Sequence, residues 1–156
     1  MSNTEINPKQ ILKVNGQAVA VADFDNSTFL KSNKKTTTDY RTAFAQAIGT
    51  TGTIAKIVKM AFGTAGETDT QGNPAPPSDN GALNNVILTK DIKAVTYPVP
   101  TSVCFEAEIL AGDTTASINE VALIDDQDRT AAKMRLLTSK GIDAESGAVF
   151  QWTVEF

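Results

Sequence analysis

The chain has 156 residues, of which 41% are hydrophobic, 21% charged and 6% aromatic, and a formal net charge of −4. That is one domain's length, with enough apolar material for a core. It contains no histidine and a single cysteine, Cys104. Ser-His-Asp and Cys-His catalytic arrangements, His-based zinc sites and an internal disulfide are therefore excluded within one chain. Residues 1–78 carry 8 basic and 6 acidic side chains, and residues 79–156 carry 6 and 12. The acidic second half, with Arg41, Arg129 and Arg135 as the only arginines, argues against nucleic acid, because phosphate neutralisation needs a Lys/Arg surface. The first residues have neither a basic start nor an apolar core, so no signal peptide is expected. The longest clearly apolar run, Ala18 to Ala22, is far short of the ~20 residues needed to span a bilayer. No membrane insertion is expected.

In chain order, residues 1–10 read as a loose leader. Ile11–Val14 and Gln17–Val21 flank Asn15-Gly16, a hairpin signal because Asn-Gly tolerates the positive φ angles of a type I′ turn. The polar run Ser32–Thr38 closes this first unit, and Thr36, Thr37 or Thr38 is placed to cap a helix. Tyr40, Ala43, Phe44, Ala47 and Ile48 then fall on one helical stripe, with Gly49 as its stop. Ile54–Phe62 reads as a strand covered on both faces. A long Gly/Pro/Asp/Asn loop follows over residues 63–82, expected to be a mobile surface or a partner contact.

The rest reads as strands. Asn85–Val95 holds one, ending before Tyr97-Pro98-Val99-Pro100. Val103, Phe105, Ala107 and Ile109 alternate with Cys104, Glu106 and Glu108, the period of a half-buried strand. Ser117–Ile124 and Thr130–Leu137 flank a polar turn, and Phe150, Trp152, Val154 and Phe156 alternate with Gln151, Thr153 and Glu155. Thr and Ala number 20 each, and Thr suits strands through its branched Cβ. The expected fold is mainly β: one antiparallel β-sandwich-like domain over residues 1–156 with one inserted α-helix near residues 38–48. Its parts are a leader and hairpin (1–35), a helical segment (36–52) and a β-rich body (53–156).

Asp125, Asp126 and Asp128, and separately Asp23, Asp25 and Asn26, invite a calcium reading but lack the ligand spacing, glycine and downstream Glu of a calcium loop. A turn reading is preferred. Glu120 shares a strand face with Ile118, Ala122 and Ile124, so it needs a partner. A two-residue turn sets it opposite Lys133, and a four-residue turn opposite Arg135. Glu106, Glu108 and Glu120 are the carboxylates a His-free enzyme would use, but nothing fixes their separation. Cys104, near Glu106 and Glu108, reads as a packing residue. Trp152 with Phe150 and Phe156 suits a core strand better than a sugar-stacking platform. Asn85, Thr89, Lys90 and Asp91 form no known binding box, and Gly63, Gly66 and Gly72 lack the context of a phosphate loop. No catalytic, cofactor-binding or metal-ligating residue is assigned, no cofactor is implied, and the chain is not expected to be an enzyme.

The order of segments carries a resemblance. Ile57-Val58-Lys59-Met60-Ala61-Phe62-Gly63 leads into the loop with Asn73-Pro74 and Pro76-Pro77, then Leu83-Asn84-Asn85-Val86. Ile118-Asn119-Glu120-Val121-Ala122-Leu123-Ile124-Asp125 and Ala131-Ala132-Lys133-Met134-Arg135 follow. Over roughly residues 54–137 this resembles the N-terminal domain of phage tail-collar fibre proteins, apart from Asp126-Gln127-Asp128-Arg129 where the family has Asp-Gly. A family member also continues into a fibre, whereas this sequence stops at Phe156. The resemblance implies a structural part of a phage tail or phage-tail-like contractile particle, a baseplate, collar or fibre-attachment adaptor assembled in the bacterial cytoplasm and residing in the virion. Its partners would be other tail, baseplate or fibre proteins and copies of itself, often threefold. Strands apolar on both faces agree, since they need a second sheet or another subunit. The rival expectations are a carbohydrate-binding β-sandwich module and a carboxylate-only enzyme.

Overall fold

The structure is a computed structural model that describes residues 9–19, 34–36, 38–49, 53–78 and 81–155. Among the described residues, ten strands and one helix run in the order β1 (Lys9–Val14), β2 (Gln17–Ala18), β3 (Lys34–Thr36), α1 (Thr38–Ile48), β4 (Ile57–Gly63), β5 (Val86–Asp91), β6 (Ala94–Thr96), β7 (Ser102–Ile109), β8 (Ala116–Asp125), β9 (Thr130–Ile142) and β10 (Ala148–Glu155). They form two five-stranded sheets, ordered β2-β1-β10-β7-β6 and β3-β9-β8-β4-β5. All pairings within them are antiparallel. The mainly β, sandwich-like architecture with one early helix is the one the sequence predicts.

Alternation builds the core. Leu12, Val14, Phe105, Ala107, Ile109, Phe150 and Trp152 project from the first sheet, and Met60, Phe62, Val121, Leu123, Met134 and Leu136 from the second. Because side chains change face at every residue, each strand supplies every other position. Phe62 and Phe150 meet between the sheets with ring centroids 4.7 Å apart and planes tilted by 54°, within the range that aromatic quadrupoles favour. Trp152 is fully buried, and its indole N–H donates to Gln10 Oε1 at 2.9 Å. That bond satisfies the ring's one polar atom and ties β1 to β10.

The Asn15-Gly16 turn has φ angles of 52° and 79°, the pair a type I′ turn requires. Asn15 also binds Val149 twice, its N–H donating to the carbonyl at 2.7 Å and its Oδ1 accepting from the amide at 2.8 Å. The described part of β2 is shorter than the expected Gln17–Val21, and residues 20–33 lie outside the described residues. Lys34–Thr36, expected as part of a polar stop, instead pairs with Lys133 and its neighbours as a short edge strand. A polar sequence suffices there because backbone pairing alone defines an edge of three residues. Helix α1 carries the expected stripe with Tyr40 packed on the core, while Ile48 is 65% exposed. Thr37, one of the candidate caps, lies outside the described residues.

The expected single strand Asn85–Val95 is two. Ile92 N donates to Val58 O at 2.9 Å in the second sheet, and Lys93 N donates to Glu106 O at 2.7 Å in the first. The chain therefore changes sheets within two residues and closes one side of the sandwich, a corner built by a bend. The final strand of the hairpin runs to Ile142, beyond the expected Leu137, because Lys140–Ile142 pairs with Ala116–Ile118 after an arch.

Two outcomes test this architecture. Trp152→Ala should lower unfolding free energy by about 3–5 kcal/mol in urea titrations, the cost of a large core cavity. Asp113 accepts from Lys90 Nζ at 2.8 Å and from Leu110 N at 2.8 Å. First the lysine bond and then the Leu110 amide hold its carboxyl below the usual carboxylate range. A depressed pKa means that this contribution is present above the unfolded-state value and lost as pH falls through the folded one. An NMR titration should place the Asp113 midpoint below that of an exposed Asp, and Lys90→Met should move it upward.

Candidate functional site

Facing away from the core, the second sheet presents Ala61, Gly63, Glu120, Ala122, Lys133 and Arg135. The register sets Gly63 opposite Glu120 and Glu120 opposite Arg135, with Ala61, Ala122 and Lys133 in the next row. Strands buried on both faces are covered here by the chain itself. The described residues between β4 and β5, 64–78 and 81–85, lie across this face as a strap. Its Leu83 clusters with Ala61 and Ala122, with Ile124 packed against that cluster, and its Pro77 is buried. Another subunit is thus not needed to explain the doubly apolar strands.

Glu120 is 4% exposed and holds both ends of the strap. Its Oε2 accepts from Ala65 N at 3.1 Å and Asn85 N at 2.9 Å, and its Oε1 accepts from Asn84 N at 3.0 Å. A buried carboxylate needs donors, and a loop leaving a sheet has amides without acceptors, so each meets the other's requirement. The ends are also zipped together. Asn84 Nδ2 donates to Ala65 O at 2.8 Å and to Glu67 Oε1 at 3.0 Å, and Asn85 Nδ2 donates to Thr64 Oγ1 at 2.9 Å.

Arg135 and Asn119 act one step further in. Between the Glu120↔Arg135 and Ile118↔Lys140 pairs, β9 spends more residues than β8 and arches out. The Arg135 guanidinium fills the gap, donating to Leu136 O at 2.7 Å, to Asn119 O at 3.3 Å and, through Nε, to Glu67 O at 2.9 Å. A planar fork with five donors suits three divergent carbonyls. Burial pulls its pKa below the usual arginine value, and the Glu120 charge pulls the other way. Arginine nonetheless stays charged. Asn119 Oδ1 accepts from Gly66 N at 2.8 Å, and Lys133 Nζ donates to Ser78 Oγ at 2.6 Å.

The strap's tip is a small hairpin bridged between Thr68 and Pro74. Asp69 N donates to Asn73 O at 2.8 Å, and Asp69 Oδ1 accepts from Gln71 N and Asn73 N, each at 2.9 Å. The β8–β9 turn repeats this wiring. Asp125 N donates to Arg129 O at 2.9 Å, while its Oδ1 accepts from Gln127 N and Arg129 N, each at 2.9 Å. The fourth residue has positive φ in both, 83° at Gly72 and 59° at Asp128. Asp125 also takes the Arg129 Nε at 2.9 Å, so its oxygens serve the turn.

The turn length explains the register. Residues 126–129 connect the strands, closed by the Asp125 N to Arg129 O bond, and with an irregularity between Leu123 and Ile124 the register sets Arg135 opposite Glu120. Of the two turns expected from sequence the four-residue one, 126–129, separates β8 from β9, and it brings the expected partner, Arg135. Asp23, Asp25 and Asn26 lie outside the described residues. Among the described residues, no group of three or more Cys, Asp and Glu side chains is placed to hold a metal ion.

The structure does not bring the three candidate carboxylates together. Glu106 and Glu108 lie on the outer face of the first sheet, where Gln151 Nε2 donates to Glu106 at 3.0 Å and Lys93 Nζ donates to Glu108 at 2.8 Å. Glu120 lies on the outer face of the other sheet, beyond the core. Half-buried Cys104 sits between Thr96 and Thr153. Trp152, fully buried, offers no stacking platform, and Phe156 lies outside the described residues. Between strap and sheet, Gly66, Leu83, Glu120, Lys133 and Arg135 line a cavity of about 10 Å³, room for one water. No helix among the described residues is long and apolar enough to cross a membrane. No protein-family model, curated protein or solved structure matches the chain.

Sequence reasoning found Glu120 and its need of a partner but missed Gly63, Gly66, Asn84, Asn85 and Asn119. A Cβ on Gly63 would lie 2.5 Å from both Asn85 O and Glu120 Oε2, and one on Gly66 would lie 2.5 Å from Arg135 Cδ. The legible signal was a glycine ending an apolar strand at the mouth of a loop. Gly63→Ala should therefore destabilise the protein by about 1–3 kcal/mol through overpacking. Arg135→Lys should cost about 1–3 kcal/mol by orphaning carbonyls. Both are readable as shifts of the urea midpoint.

Proposed function

We propose that the chain is a non-enzymatic structural component of a phage tail or phage-tail-like contractile particle, acting as a baseplate, collar or fibre-attachment adaptor through protein–protein assembly. One observation carries the reading. The separate segments on which the tail-collar resemblance rests converge on a single clamp. Gly63 abuts Glu120, the amides of Asn84 and Asn85 donate to Glu120, and Lys133 and Arg135 bind the strap at Ser78 and Glu67. Residues far apart in sequence that meet in space support a shared structural device more strongly than their order alone.

The assembly surface in this reading is the edge of the first sheet. Val95, Tyr97 and Val99, at alternate positions of β6 and its continuation, are 44%, 70% and 49% exposed. Pro98 and Pro100 lie between and beyond them and withhold backbone donors, which discourages indiscriminate strand pairing while leaving side chains to make contact.

The purified protein is expected to form an oligomer, or to bind a tail or baseplate protein encoded beside it, by native mass spectrometry and sedimentation. Tyr97→Lys should weaken that association by roughly tenfold or more, the effect of removing an aromatic anchor. A monomer at high concentration that binds no neighbouring tail component would overturn the proposal.

A further inference from the structure

We infer that residues 64–78 and 81–85 form a strap that releases as one unit from the second sheet, with Glu120 as the latch for both ends. The inference stands apart from the tail reading and rests on how the strap is held. Its apolar attachment is small: Leu83 clustered with two alanines, and the buried Pro77. The remainder is polar, and its bonds converge on a few side chains of one hairpin. Glu120 takes amides from Ala65 at the departure and from Asn84 and Asn85 at the return. Asn119, Lys133 and Arg135 hold Gly66, Ser78 and Glu67.

Segments with few buried apolar contacts open at lower free energy than the core. Because the two ends share one carboxylate and are bonded to each other, neither leaves without removing acceptors from the other. The inter-sheet core, built from Phe62, Phe150, Trp152 and their neighbours, does not include the strap. Release therefore leaves the sandwich intact and uncovers Ala61, Ala122 and the charged row beside them.

Amide hydrogen exchange followed by NMR tests this on the full chain. In the wild type, Ala65, Gly66, Asn84 and Asn85 should share one opening free energy with weak denaturant dependence, while Phe105 and Trp152 exchange only through global unfolding. Glu120→Gln should accelerate all four strap amides together, by roughly tenfold or more, and leave Phe105 and Trp152 in the slowest class. Acceleration at one end alone would overturn the inference. So would wild-type strap amides that exchange no faster than Trp152, a result that stands even if Glu120→Gln fails to fold.

Discussion

Three backbone amides pointing at one carboxylate organise the second sheet and everything laid on it. A sheet face of alanines, a glutamate and two cations has no means of covering itself, and the strap, though its tip is a hairpin, leaves the amides of Ala65, Asn84 and Asn85 at its two ends to find acceptors elsewhere. Glu120 resolves both problems at once, since ionised oxygens accept more strongly than neutral carbonyls. The geometry then imposes its own conditions. Gly63 must lack a side chain, Arg135 must bring a fork to carbonyls left by the arch in β9, and the hairpin turn must deliver Arg135 to the correct row. A change in any of these disturbs the others, so energetic coupling is expected among them rather than independent effects.

Much of the sandwich was legible because alternation is a direct physical signal. The strands carrying Phe105 and Trp152 bury one face, and their period of two shows it. The helix was legible from Tyr40 to Ala47 for the same reason at a different period. What escaped were features whose cause lies outside the local pattern. Lys34–Thr36 is a strand because β9 offers an edge. The stretch from Val86 to Thr96 serves two sheets because the body must close, and nothing in Ile92-Lys93 announces the bend.

The clamp was half legible. A carboxylate on an apolar face declares that it needs donors, and sequence suggests the cation that stands across the ladder, but not the main-chain amides of a loop that also donate to Glu120. Amides have no sequence signature, so the anchoring role of Asn84 and Asn85 is invisible until the loop is placed. The Asp69 and Asp125 turns share wiring without sharing a motif beyond the first aspartate and a residue that tolerates positive φ. A glycine does this in one and an aspartate in the other.

The pairing of β1 with β10 fixes an order of events. Lys9 lies opposite Glu155, and Leu12 opposite Trp152, so the first sheet joins residues that leave the ribosome nearly a whole chain apart. The second sheet draws on β3, β4, β5, β8 and β9 and is complete in sequence once Ile142 has emerged. Synthesis therefore makes the strap, its latch and their sheet available before β10, the strand that β1 pairs with. Long-range pairing of this kind slows folding because loop closure must precede its reward. During that interval the edge of β1 that β10 pairs with is open, and an unpaired strand edge is a site of misassociation.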